Sequence, residues 1–135
     1  MTPDDFDLFC GGLPASSRVV QWGGARVWKA GGKMFAIGGR AADTPAYTFK
    51  VSPIAFEVLR DSPGLRPAPY LASRGLSWIQ HFSAPGLSDE DLRDHIRESH
   101  RLVARGSWQW ALDLDSVRLP RSRSAFGKFQ RAIPV

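Results

Sequence analysis

The side chains able to do chemistry in this 135-residue chain are few and mostly basic. Lys33 and Lys50 are each set inside an otherwise apolar word, Gly32-Lys33-Met34-Phe35-Ala36 and Phe49-Lys50-Val51, which is more charge than solubility requires. With Arg26, Lys29 and Tyr70 close to them in the elements argued below, they would offer ammonium and guanidinium groups to phosphates with an aromatic ring alongside. A second basic group, Arg118, Arg121, Arg123, Lys128 and Arg131, follows Asp115. All 13 acidic residues lie at or before Asp115, so the first 115 residues are electrically balanced and the net charge of +5 belongs to the tail. The chemistry on offer is the gripping of a polyanion. DNA is the expected partner, held without sequence preference and with strong salt dependence.

Signatures of catalysis are missing. There is no GxSxG, no HExxH and no dinucleotide glycine motif, and Gly31-Gly32-Lys33-Met34 lacks the upstream glycine and the Ser/Thr of a phosphate loop. Lys33, Lys50, Tyr70 and His81 are the conceivable acid/base groups, without a nucleophile arrangement. His95 and His100 are five apart and do not share a helical face. Asp4, Asp5 and Asp7 read as complements to a helix dipole. Asp113 and Asp115 lack the glycine and following ligands of a calcium loop. A lone Cys10 excludes an internal disulfide and a zinc cluster. The expectation is a non-enzymatic protein with no metal and no cofactor.

The elements that must position these groups follow from pattern. Thr2 caps and Pro3 starts a helix over 3–10. Short runs rich in Val, Trp, Phe and Tyr, punctuated by Gly23-Gly24, Gly31-Gly32, Gly38-Gly39 and Thr44-Pro45, predict strands near 17–22, 25–30, 33–37 and 46–51. Alternation turns Trp28, Phe35, Ile37, Tyr47, Phe49 and Val51 to the core and Lys29, Thr48 and Lys50 to the opposite face. Ser52-Pro53 opens a second helix, in which Ile54, Ala55, Val58 and Leu59 fall at i, i+4 spacing. Pro63 to Tyr70 is an extended, proline-stiffened loop, and 77–82 a fifth strand. Ser88 begins a last helix, reaching about 104 before Gly106, and the alternation of Trp108, Trp110, Leu112 and Leu114 predicts one more strand. The fold class expected is α+β: one domain, residues 1–115, with an antiparallel sheet of about five strands against two or three helices in the order α-β-β-β-β-α-β-α, and a basic C-terminal extension over 116–135. No apolar run approaches the ~18 residues that cross a bilayer, and the N-terminus is acidic where a signal peptide is basic, so a cytoplasmic location with no membrane partner is expected.

Superimposed on this order are specific words: Leu13-Pro14, Gly32-Lys33-Met34-Phe35-Ala36, Phe49-Lys50, Pro63-Gly64-Leu65, Pro67-Ala68-Pro69-Tyr70-Leu71, Trp78-Ile79, and Ser99 with Leu102-Val103. Together, over about residues 6–104, the chain resembles the MmcQ/YjbR family of small bacterial proteins. The resemblance implies a domain similar to the frataxin-like fold and to the "double wing" DNA-binding domain, with DNA binding as the family's usual description. Relatives usually place an aromatic after the serine of the last helix, where this chain has His100, and they end soon after that helix.

Two functional classes therefore stand open. One is a nucleic-acid-binding module using Arg26, Lys29, Lys33, Lys50, Tyr70 and the five basic residues of the extension. The other is a protein-interaction or small-ligand domain in which Phe126, Phe129 and Ile133 of the extension pack on the body or on a second subunit, for which five tryptophans supply apolar area. Monomer and homodimer are both compatible with the sequence.

Overall fold

The computed structural model describes residues 1–69, 71 and 76–115, with side chains as far as residue 104. Helix α1 covers Pro3–Gly11 and begins with a reciprocal cap: the Thr2 hydroxyl accepts from the Asp5 N–H, and the Asp5 carboxylate accepts from the Thr2 N–H. Strands β1 (Ser16–Gln21), β2 (Ala25–Ala30), β3 (Lys33–Ala41) and β4 (Thr44–Lys50) follow, then α2 (Pro53–Leu59), β5 (Leu65–Pro67), β6 (Trp78–His81) and α3 (Asp89–Asp115). The six strands form one sheet in the order β1-β2-β3-β4-β6-β5, and every neighbouring pair is antiparallel. The proline-stiffened stretch after α2, expected as loop, thus supplies a short sixth strand. None of the helices among the described residues is long and apolar enough to cross a membrane.

Two departures from simple alternation shape the sheet. The register slips between β2 and β3, with Trp28 opposite Ala36 but Lys29 opposite Met34, so Phe35 is one residue too many. Such a bulge lets consecutive side chains share a face. Phe35 and Ala36 are both fully buried in the core, and Ile37, expected beside them, turns to the other face and is only partly covered. The second departure is Gly38-Gly39, which lies inside β3 and not at a turn. Gly38 is there because the Phe6 ring occupies its side-chain space: a Cβ would stand 2.5 Å from Phe6 Cε2.

All three helices feed one core on one face of the sheet. Phe6 and Cys10 of α1 and Leu92, Ile96 and Val103 of α3 join Trp28, Tyr47, Phe49, Val51 and Ile79. Phe6 stacks on Tyr47 with centroids 4.9 Å apart, and His95 stacks on Phe49 at 5.4 Å. From α2 only Ala55, Phe56 and Leu59 reach this core, and Ile54 and Val58 stand out into solvent. Ser99, fully buried on α3, donates its hydroxyl to the Phe35 carbonyl at 2.6 Å and accepts the Lys50 N–H at 2.8 Å. Phe35 is the bulged residue and Lys50 ends β4; neither is paired in the β3–β4 register, so the hydroxyl satisfies groups the ladder leaves over.

Helix α3 corrects a further expectation. It runs unbroken through Gly106 to Asp115, across the stretch read as a strand. Trp108 and Leu112, like Trp110 and Leu114, are four apart as well as alternate, so the pattern fits either period. One interior glycine costs a helix only about 1 kcal/mol. The compact unit that holds the whole core is Met1–Val103; Ala104 onward forms a second unit.

Candidate nucleic-acid interface

Cross-strand partners share a face, so the register sorts the basic residues. Trp28, Tyr47, Phe49 and Ile79 face the helices; the residues between them face away. One row on that second face runs from Lys29 to Met34, and at the same end of the sheet Lys50 lies opposite Trp78. The neighbouring row holds Thr48, Gln80 and Arg66. Lys33 opens β3 at the same end of the sheet, exposed, but it pairs with the core residue Ala30 and so belongs by register to the helix side.

Lys29, Lys33 and Lys50 therefore gather at one end of the sheet. Lys50 is half-buried, with Trp78 and Thr48 buried around it, and this desolvation together with the positive charge of Lys33 holds its ammonium below the usual lysine pKa. Among the described residues no carboxylate forms an ion pair with any of the three. Arg66, not among the residues expected from sequence, lies on the face of Lys29 and Lys50. Its guanidinium lies 4.3 Å from the Phe82 ring centroid and donates to Gln80 Oε1 at 2.8 Å, so it is aimed before any ligand arrives. The signal for it was present in the period-two placement of Arg66 within Leu65-Arg66-Pro67, hidden because that stretch read as loop.

Arg26 goes elsewhere. It pairs opposite Gly38 on the helix side, and its Nε lies 3.3 Å from Asp7 Oδ2, which also takes Arg18 at 3.2 Å, while Asp7 Oδ1 accepts the Trp28 indole N–H at 3.0 Å. Asp7 is thus a structural hub joining α1 to β1 and β2, a role beyond complementing a helix dipole. Tyr70 and the extension residues Arg118, Arg121, Arg123, Lys128 and Arg131 lie outside the described residues.

Of the described acid/base candidates, His81 does not join the lysines. His81 lies opposite Tyr47 on the helix side, whereas Lys50, three positions along β4, faces the other way. Both ring nitrogens of His81 are buried without a partner among the described residues. His100, in the place of the expected aromatic, sets its ring edge-on to Phe35 at 5.1 Å and its Nε2 2.7 Å from the Pro14 carbonyl, bolting α3 to the Leu13-Pro14 turn. No cluster of metal ligands occurs among the described residues.

The YjbR family model matches residues 11–102. The fold is similar to that of the Deinococcus radiodurans protein DR2400, which carries the family-model domain DUF419, with a TM-score of 0.69 and 25% identity over 78% of this chain and 80% of that one. It is also similar to a protein from Pseudomonas syringae, with a TM-score of 0.64 and 19% identity over 76% of this chain and 99% of that one. No curated protein matches the chain.

Proposed function

The chain belongs to the YjbR family, and from that premise we propose that this member is a non-enzymatic module that binds nucleic acid, DNA in the first place, through the phosphates. Lys29, Lys33 and Lys50 form the grip at one end of the sheet, Arg66 extends it along the face of Lys29 and Lys50, and Arg118, Arg121, Arg123, Lys128 and Arg131 add charge from the extension. Arg26 is committed to Asp7 and contributes little. A cytoplasmic location accords with this role.

The observation that carries the reading is the Lys33–Lys50 pair. Two ammonium groups near enough to repel, one of them partly removed from water, are unfavourable in the isolated protein and are relieved when an anion arrives. Contacts of this kind carry no sequence information, so a dissociation constant of about 10⁻⁴ to 10⁻⁶ M at physiological salt is expected, with log affinity falling by about 0.9 per log salt for each phosphate met.

Fluorescence anisotropy with a labelled DNA duplex across salt concentration tests this. The full chain should bind, and a Lys33→Ala/Lys50→Ala variant should bind more weakly with a salt slope lower by about 1.8. A full-length variant with glutamine at the five basic extension positions should lose more. Absence of binding by the unaltered chain at about 50 mM salt, where phosphate contacts are strongest, would end the proposal.

A further inference from the structure

The β1 edge combines an unpaired backbone with exposed apolar side chains. One flank of β1 pairs with β2 along all six residues; the other meets no strand of this chain among the described residues. Its residues from Ser17 to Val20 are exposed, and Val19 and Val20, on opposite faces, are 37% and 58% accessible. Just past the strand, Trp22 is 68% accessible and adopts φ +49°. A bulky side chain in the left-handed region is costly, and so is an indole in water; contact with a partner would offset the second cost. The opposite edge is different. There β5 has three residues, Leu65 is buried, and Pro67 has no N–H to give.

We propose that β1 pairs with β1 of a second copy of this chain, antiparallel about a two-fold axis through Val19. In this register Val19 faces its own equivalent, Arg18 faces Val20, Ser17 faces Gln21, and Trp22 faces Ser16. The single charge on the strand, Arg18, is already taken by Asp7, so the edge is a neutral strand that accepts a neutral strand, which is what β1 itself is. A register centred on Arg18 would set two guanidinium groups against each other; the one centred on Val19 does not. Ser16, with Ala15 before it, is small and leaves room for the partner's indole. The two-fold stands perpendicular to the sheet, so the faces of the two copies are continuous. This association is independent of the nucleic-acid reading.

One strand pair and two indoles fall at the low end of specific interfaces, below about 1,200 Å², so a dissociation constant on the order of 10⁻⁵ M is expected. Sedimentation equilibrium of the full chain, free of nucleic acid, should show the mass rising from 14.9 kDa toward twice that value across a concentration range of about 5–500 µM. Val19→Lys and Trp22→Gly, both at exposed positions, should each weaken association about tenfold or more. At about 0.2 µM, where nearly all of the chain is monomeric, Trp22→Gly should also raise the melting temperature by a few degrees, because glycine is at ease at this φ. Tighter folding with weaker pairing is a combination that a merely structural tryptophan would not give. A chain still monomeric at about 500 µM overturns the proposal, as does a dimer that neither substitution weakens.

Discussion

The Ser99 hydroxyl sits 2.6 Å from the carbonyl oxygen of Phe35, a residue 64 positions earlier, and so fastens the last helix to the bulge in the sheet. Replacing it by alanine leaves that carbonyl and the Lys50 N–H buried without partners. Ser99→Ala should cost about 1–3 kcal/mol, read as a lower urea midpoint at unchanged slope. A loss within about 0.3 kcal/mol would mean that water replaces the hydroxyl.

Gly38 and Phe6 form a second tight pair. A methyl at Gly38 would enter the Phe6 ring, so Gly38→Ala should destabilise by about 1–3 kcal/mol. In a Phe6→Leu background the same change should cost less, and a double-mutant cycle by thermal or urea unfolding measures the difference. Strict additivity would show that the ring gives way freely.

Acid should weaken the N-terminal region first. Thr2 hydrogen bonds hold the Asp5 carboxyl below its usual value of 3.8, and the terminal ammonium, 2.6 Å away, does the same for Asp89. Both folded pKa values are depressed, so the stability they supply is complete above the unfolded value and is lost as pH falls through the folded one. Unfolding curves from about pH 6 to pH 2 should show this decline. Asp89→Asn should flatten it, and an unchanged slope in that variant would exclude the ion pair as its source.

Lys50 has the opposite effect. Its folded pKa lies below 10.5, so between the two values the unfolded chain holds a proton the folded chain has released, and stability rises with pH. Lys50→Met should be at least as stable as the parent at pH 7, should lack the rise toward alkaline pH, and should lower the salt slope of DNA binding by about 0.9. A variant that is less stable yet binds DNA with the parent's salt slope would assign the lysine to structure alone.

The fold was largely legible because glycine pairs, capping residues and apolar runs mark most elements independently of each other. Thr2-Pro3 and Ser52-Pro53 start helices where expected. What escaped depends on contacts distant in sequence. The burial of Phe35 beside Ala36 follows from a bulge, Gly38 inside a strand from the Phe6 ring, and the exposure of Ile54 and Val58 from which side of α2 meets the sheet. For the proposed interface, composition and spacing point to Lys29, Lys33 and Lys50. They could not separate these from Arg26, because only the tertiary approach of Asp7 draws that guanidinium away. Arg66 was passed over for the converse reason, since its orientation is supplied by Gln80 and Phe82 on the next strand.

Pro67 limits what strand addition can build from this molecule. Where both margins of a sheet are open, each added subunit exposes a fresh template and growth continues into fibres; with one margin blunted, every subunit has a valence of one. Among the described residues β1 is then the one open template, and the proposed pairing would consume it and leave polymerisation through the sheet nowhere to proceed.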